Sequence, residues 1–240
     1  MKTIAHFVSL PSRCSYLPDR QASIEYERVA SMSAGEYQRL MEEGWRRFGH
    51  TIFRPICRTC SECRSLRVVV DRFRPNRSQR RVRKLNQGIV RLVIGSPAAS
   101  REKIELYDRY HAYQSSLKDW PAHPPKDLAE FIAAYVDNPF RGQEYTYYLE
   151  DRLVAVGYAD ALPEAYSAVY CFYDPSERAR SLGTWNVLSI IANAVRHAIP
   201  HVYLGYYVEG CGSLSYKANF VPNQIRGPDG IWRDFRDSDG

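Results

Sequence analysis

Residues 166–207 read YSAVYCFYDPSERARSLGTWNVLSIIANAVRHAIPHVYLGYY, and this stretch decides the fold. Tyr166 to Tyr173 alternates aromatic and β-branched residues with smaller ones, the composition of a strand. Asp174 to Leu182 is a polar arm that starts on the turn-forming pair Asp174-Pro175. Thr184 to Ala198 is long and apolar, as expected of a buried helix. Val202 to Tyr207 returns to strand composition. Before this stretch, Tyr145 to Leu149 and Leu153 to Leu162 form a hairpin turned at Glu150-Asp151-Arg152, and Glu102 to Leu117 and Pro125 to Val136 have amphipathic helical spacing. The second half therefore runs helix, helix, three strands, arm, helix, strand. That is an α+β order with a mostly antiparallel sheet feeding a crossover helix.

The same order resembles the acyltransferase fold of N-acetyltransferases (GNAT-like), where an arm at a helix N-terminus receives phosphates. Arg180 and Gly183 fit the start of that fold's coenzyme A signature, R-x-x-G-x-G/A, but Trp185 occupies its last small position. The expected organisation is an N-terminal Cys-cluster and basic domain over residues 1–84 and a GNAT-like catalytic domain over residues 85–240.

The first part reads as loop-rich. Its clearest helix runs from Ser33 to Phe48, with Ser33 as N-cap, Glu36 three residues on, Tyr37, Leu40, Met41 and Trp45 on one face, and Gly49 as the stop. Leu66 to Val70 reads as a strand. Residues 72–84, RFRPNRSQRRVRK, hold seven basic residues and no acid. Such a run is a phosphate-binding surface or a solvated basic face.

The chain has 240 residues and a net charge of +6, enough to bury a sizeable core. Its 18 tyrosines would supply stacking surfaces or half-buried sheet positions. The N-terminus shows no signal-peptide pattern and no apolar run is long enough to span a membrane, so the expected setting is cytoplasmic, with no membrane partner. The cysteines agree, because Cys57, Cys60 and Cys63 are clustered rather than spread as a disulfide framework. Their two-residue gaps let three thiolates converge on one ion or cluster. Cys171 and Cys211 read as plain buried thiols.

Several blocks resemble the arginyl/leucyl-tRNA–protein transferases. They are Cys14-Ser15-Tyr16-Leu17-Pro18, Gly44-Trp45-Arg46-Arg47-Phe48-Gly49, Phe53-Arg54-Pro55 with CxxCxxC, the Phe73 to Arg81 block, and Ser167-Ala168-Val169-Tyr170. In the last third they are Tyr203-Leu204-Gly205-Tyr206-Tyr207, Tyr216-Lys217-Ala218 and Phe220-x-Pro222. The compact form resembles the bacterial branch, the aspartate/glutamate leucyltransferases of the N-degron pathway. The chain departs from the pattern at Gly212-Ser213-Leu214, where relatives often carry a basic residue.

The resemblance implies transfer of leucine from an aminoacyl-tRNA donor to the N-terminal amine of proteins beginning with Asp or Glu. Transfer of arginine is the alternative within the family. No cofactor is required, because the ester of a charged tRNA is already activated. The absence of a nucleophile elbow, P-loop or HExxH agrees with this. Expected tRNA contacts are Arg74, Arg77, Arg80, Arg81, Arg83, Lys84 and Arg180. A cation is needed for the acceptor's acidic residue, with Arg54, Arg67, Arg80 and Arg81 as candidates. Catalytic candidates are Asp160 to orient or deprotonate the amine, Tyr170, Tyr206 to position the 3′ adenosine or relay a proton, and Lys217 to meet a phosphate or oxyanion. Leu188 and Ile191 are candidates for a leucine pocket or for ordinary core. For the cysteines the resemblance adds Cys14 as the candidate fourth ligand and permits an iron–sulfur cluster; four thiolates suit zinc equally, and the alternative is reduced free thiols packed in a small N-terminal core. Two rivals stay open on the residues alone: a coenzyme A-dependent N-acetyltransferase, and a metal-stapled RNA-binding module without catalysis.

Overall fold

The computed structural model describes residues 1–118 and 124–236. In chain order its strands are β1 (Lys2–Val8), β2 (Ser12–Arg13), β3 (Gln21–Ala22), β4 (Ile24–Ser31), β5 (Arg46–Phe48), β6 (Thr51–Pro55), β7 (Arg64–Val69), β8 (Val90–Gly95), β9 (Gly142–Leu149), β10 (Arg152–Ala161), β11 (Ala165–Tyr173), β12 (His201–Tyr207), β13 (Asn223–Arg226) and β14 (Trp232–Arg236). The helices are α1 (Ala34–Glu42), α2 (Arg77–Asn86), α3 (Arg101–Lys118), α4 (Leu128–Phe131) and α5 (Leu182–Arg196). A π-turn, Ile132–Val136, continues α4, and 3₁₀ turns cover Pro175–Arg180 and Ser215–Asn219.

The fold is mixed α and β around an eight-stranded sheet of order β14-β13-β7-β12-β11-β10-β9-β8. Every neighbouring pair is antiparallel except β11 and β12, which α5 joins as a crossover. The strand–arm–helix–strand order read from residues 166–207 is therefore observed. The parallel pairing of β11 and β12 extends only from Ala165 opposite His201 to Ser167 opposite Tyr203, after which the strands part. The buried face of α5, with Val187, Ile190, Ile191 and Ala194, packs on this sheet. Leu188 and Ile191 are members of that core.

The first part is more regular than its composition suggests. β1, β4, β6 and β5 form a four-stranded antiparallel sheet where loops were expected. Its edge strand β1 is exposed along all seven residues, so it shows no apolar alternation to read. The helix expected over Ser33 to Phe48 is shorter. Ser33 and Glu36 do form a capping box, but α1 ends at Glu42, ahead of Gly44 at φ +98°. Arg46 to Phe48 then turn into β5, and Gly49, at φ +52°, serves the β5–β6 turn rather than a helix end. The expected helix from Pro125 starts instead at Leu128, capped by Asp127, and relaxes into the π-turn.

The basic stretch is also a helix. Asn76 and Gln79 form a reciprocal capping box for α2, and Gln79, Val82 and Asn86 are its buried face. At about 100° per residue, Arg77, Arg80, Arg81 and Lys84 fall on the opposite side, and all four are exposed. β7 precedes residue 84 yet pairs with β12 and β13, so the large sheet draws on both sides of that position. No described helix is long and apolar enough to cross a membrane.

Candidate active site

The parting of β11 from β12 opens a cleft of about 660 Å³. Its walls are Ala168 to Cys171 and Tyr173 from β11, Leu204 from β12, and Ser181, Gly183, Thr184, Asn186 and Val187 around the start of α5. Tyr110 and Gln114 of α3, Tyr16, and Gly212 to Leu214 with Tyr216 and Lys217 complete it. Ser181 adopts a left-handed conformation and gives α5 no side-chain cap. The first N–H groups of α5 thus border the cleft without a side-chain cap from Ser181, with Arg178 beside them.

Two of the four catalytic candidates stand in this cleft. The Tyr170 hydroxyl shares a 2.9 Å hydrogen bond with His111 Nε2, and burial raises its pKa, so it is a neutral donor at physiological pH. Lys217 donates to the carbonyl of Tyr206 at 2.8 Å, and burial, then the neighbouring Arg46, pull its ammonium down to about 7. The other two face away. Tyr206 turns its hydroxyl toward the N-terminal sheet, donating to Gly44 O at 2.8 Å. Asp160 is fully buried at the end of β10 and is clamped by Arg47, whose Nε donates to Oδ2 at 3.1 Å and whose Nη2 contacts Oδ1.

The basic candidates divide in the same way. Arg77, Arg80, Arg81, Arg83 and Lys84 of α2 are exposed, and so is Arg74, which donates to the carbonyls of Asp71 and Phe73. Arg180 instead pairs with Glu177 at 3.0 Å and donates to Leu85 O, bracing the arm against α2. The arginine of the arm that lines the cleft is Arg178, which the sequence reading passed over because the phase of a short 3₁₀ turn is not visible in composition. The acceptor candidates Arg54 and Arg67 are outside the cleft. Arg54 pairs with Glu25 at 2.7 Å over the Trp45 ring; Arg67 contacts Gln224 and Tyr203 and lies over Trp232.

Cys14, Cys57, Cys60 and Cys63 line a single pocket of about 130 Å³, which shares Tyr16 with the large cleft. Burial, followed by repulsion from Cys14, Cys57, Cys60 and Cys211, pushes the Cys63 thiol up to about 12. Among the described residues no three His, Cys, Asp or Glu side chains stand at ion-binding spacing. Cys171 lines the large cleft, and burial pushes it up to about 12, so it is a protonated thiol there. Cys211 is buried.

Residues 12–81 match the family described as arginine-tRNA-protein transferase, N terminus, and residues 102–227 match its C-terminus counterpart. An aspartate/glutamate leucyltransferase of Campylobacter jejuni subsp. jejuni serotype O:6 is 40% identical over 223 residues, 91% of each chain. One from Pseudomonas putida (strain GB-1) is 37% identical over 222 residues, 91% of this chain and 92% of that one. Among solved structures, FemX superposes with a TM-score of 0.46 at 7% identity, covering 87% of this chain and 81% of that one. The chain belongs to the arginine-tRNA–protein transferase family, and its curated relatives within it are aspartate/glutamate leucyltransferases.

Proposed function

We propose that this protein is a cytoplasmic aminoacyltransferase that moves leucine from Leu-tRNA to the α-amine of proteins beginning with Asp or Glu. The observation that carries this reading is the cleft between the parting strands β11 and β12, in a chain related along 91% of its length to leucyltransferases. The catalytic half adopts a GNAT-like arrangement, supported by that single parallel pair and its crossover helix.

The reaction needs no covalent enzyme intermediate. The neutral α-amine attacks the ester carbonyl, a C–N bond forms, the C–O bond to the tRNA ribose breaks, and the amine's proton ends on the ribose oxygen. The enzyme gains most by holding the two substrates together. The N–H groups at the start of α5, with Arg178, receive the negative charge of the tRNA 3′ end. Tyr170, backed by His111, is a neutral hydroxyl able to hand a proton to the departing ribose oxygen. Asp160 and Tyr206 act as positioning residues that fasten the N-terminal sheet to the cleft walls.

The outer face of α2 binds the tRNA backbone. Replacing Arg77, Arg80, Arg81 and Lys84 with Gln should raise the KM for Leu-tRNA and leave kcat at saturating tRNA unchanged. The slope of log affinity against log salt should shrink by about 0.7–0.9 for each phosphate that is no longer neutralised. An unchanged slope would remove α2 from the interface.

The four N-terminal cysteines are proposed to hold zinc or an iron–sulfur cluster. Their support is the shared pocket, within which the thiols would have to draw together from their present spacing to hold a cation. The group would stabilise the segment around Tyr16 at the cleft edge.

The deciding assay mixes the protein with radiolabelled Leu-tRNA or Arg-tRNA and peptides starting with Asp, Glu or Ala. Leucine on the Asp and Glu peptides alone is the expected result. Arginine instead overturns the donor, and no transfer from either tRNA by the folded protein overturns the reaction.

A further inference from the structure

Two basic side chains meet behind β12, and neither forms an ion pair with a carboxylate among the described residues. Arg46 is only 6% exposed, and its Nη1 donates to the carbonyls of Trp45 and Met41. Its Nε and Nη2 are buried and have no hydrogen-bond partner among the described residues. Lys217, half-buried in the cleft wall, uses one of its three N–H donors on Tyr206 O. Both cations converge on Gly205. A Cβ built on that residue would lie 3.4 Å from Lys217 Nζ and 4.0 Å from Arg46 Nε. The missing side chain is therefore what leaves room between them. Gly205 stands at φ +82° where the β12–β7 register shifts, the kind of bulge that re-aims side chains beside active sites.

Burial and the neighbouring Arg46, which pull the Lys217 ammonium down to about 7, make it costly to hold Lys217 protonated there unless an anion joins the two. The proposed reaction, on which this inference rests, supplies one of defined position. In an N-terminal Asp or Glu the side-chain carboxylate is held within roughly 6 Å of the attacking α-nitrogen by covalent geometry alone. Its partner must therefore adjoin the reacting centre. Arg54, Arg67, Arg80 and Arg81 do not line the cleft, whereas Lys217 does. The geometry points to Lys217, backed by Arg46 across Gly205, as the subsite that binds the side-chain carboxylate of the acceptor's first residue. The flexible lysine stem accommodates both Asp and Glu. The neutral amides Asn and Gln bring no charge to pair with a protonated Lys217 beside Arg46 and are rejected.

The test measures equilibrium binding and leucine transfer for peptides that differ only in starting with Asp, Glu, Asn or Ala, on the full chain and on Lys217→Met, Lys217→Arg and Arg46→Met. Lys217→Met should weaken Asp-peptide binding by roughly 10- to 100-fold, the range for a hydrogen bond to a charged group. It should leave the weak binding of the Asn and Ala peptides and the KM for Leu-tRNA unchanged. Lys217→Arg should restore most of the preference for Asp. The melting temperature of Lys217→Met, read beside its binding, separates loss of the subsite from loss of fold, and the weak binding of the Ala peptide should persist in the folded variant. Retained discrimination between Asp and Asn in Lys217→Met would overturn the inference. So would a defect confined to the KM for Leu-tRNA, which would place a tRNA phosphate at the site. Lys217-dependent binding of Asp peptides without any leucine transfer would sustain this subsite and overturn the proposed reaction.

Discussion

Asp160→Ala should cost about 3–5 kcal/mol of folding stability, the expected penalty for leaving one member of a buried ion pair uncompensated. For a chain of this size that corresponds to a fall of roughly 6–20 °C in melting temperature. The stranded partner would be Arg47, which is 4% exposed. Its guanidinium donates through Nη1 to Gly49 O at 3.0 Å and to Asn138 Oδ1 at 2.7 Å, and lies over the Phe140 ring at 4.7 Å. One side chain of β5 thereby ties together the end of β10, the β5–β6 turn and the segment after the π-turn. Thermal unfolding of Asp160→Ala, Arg47→Met and the double variant checks this. The double variant should recover a large part of the stability, because it removes both charges at once. The same series tests the role of Asp160. Folded Asp160→Asn should keep its kcat at low temperature, since the carboxylate does not reach the cleft. A folded Asp160→Asn enzyme with no transfer would return Asp160 to the chemistry.

The contrast between Asp160 and Lys217 shows what could be read from sequence and what could not. The elements around the cleft were legible because each carries a local period. β9 to β12 alternate or run apolar, α5 is a long apolar helix, and their order leaves few topologies. The cleft followed from that order. The side chains that enter it did not. Asp160 lies near the end of a strand and Lys217 in a 3₁₀ turn between strands, and whether each meets the cleft or an arginine of another sheet is a tertiary fact. Arg46 and Arg47 are adjacent on a strand, so they project to opposite faces. One holds Asp160 and the other remains without an anion. This assignment depends on Arg46 to Phe48 being strand, which their continuity with the apolar spacing of α1 concealed. α2 was hidden differently. Its charge drew the reading to phosphate binding, while Asn76 and Gln79, spaced as a capping box, marked a helix start in plain sight. Once the helix is recognised, the basic residues divide into a face and a remainder, and Arg180 leaves the set.

Gly157→Ala should damage stability and tRNA handling together, unlike Asp160→Ala. Gly157 lies in the middle of β10, beneath the second turn of α5. A methyl group there would overlap Asn186 Oδ1 and come within 2.6 Å of its Cγ. Asn186 is 2% exposed and accepts a hydrogen bond from the hydroxyl of fully buried Tyr147 at 2.9 Å, so it can yield to the methyl only by moving toward the cleft it lines and giving up that bond. Overpacking of this kind costs about 1–3 kcal/mol. Breaking the Tyr147–Asn186 bond, with Ser189 still beside the Tyr147 hydroxyl, adds about 0.5–1.5 kcal/mol. Together they come to roughly 1.5–4.5 kcal/mol. The strain acts on the start of α5, whose first N–H groups and Arg178 form the proposed receptor for the tRNA 3′ end. The KM for Leu-tRNA should therefore rise in whatever fraction stays folded, with peptide binding at Lys217 little changed. Urea unfolding and steady-state kinetics on Gly157→Ala and on Gly157→Ala/Asn186→Ala separate the two contributions. The double variant makes room for the methyl and should recover the overpacking part, while the Tyr147–Asn186 bond stays lost. A Gly157→Ala enzyme as stable as the parent would show that α5 shifts freely over β10, and the helix N-terminus would then be too loosely held to position the tRNA end.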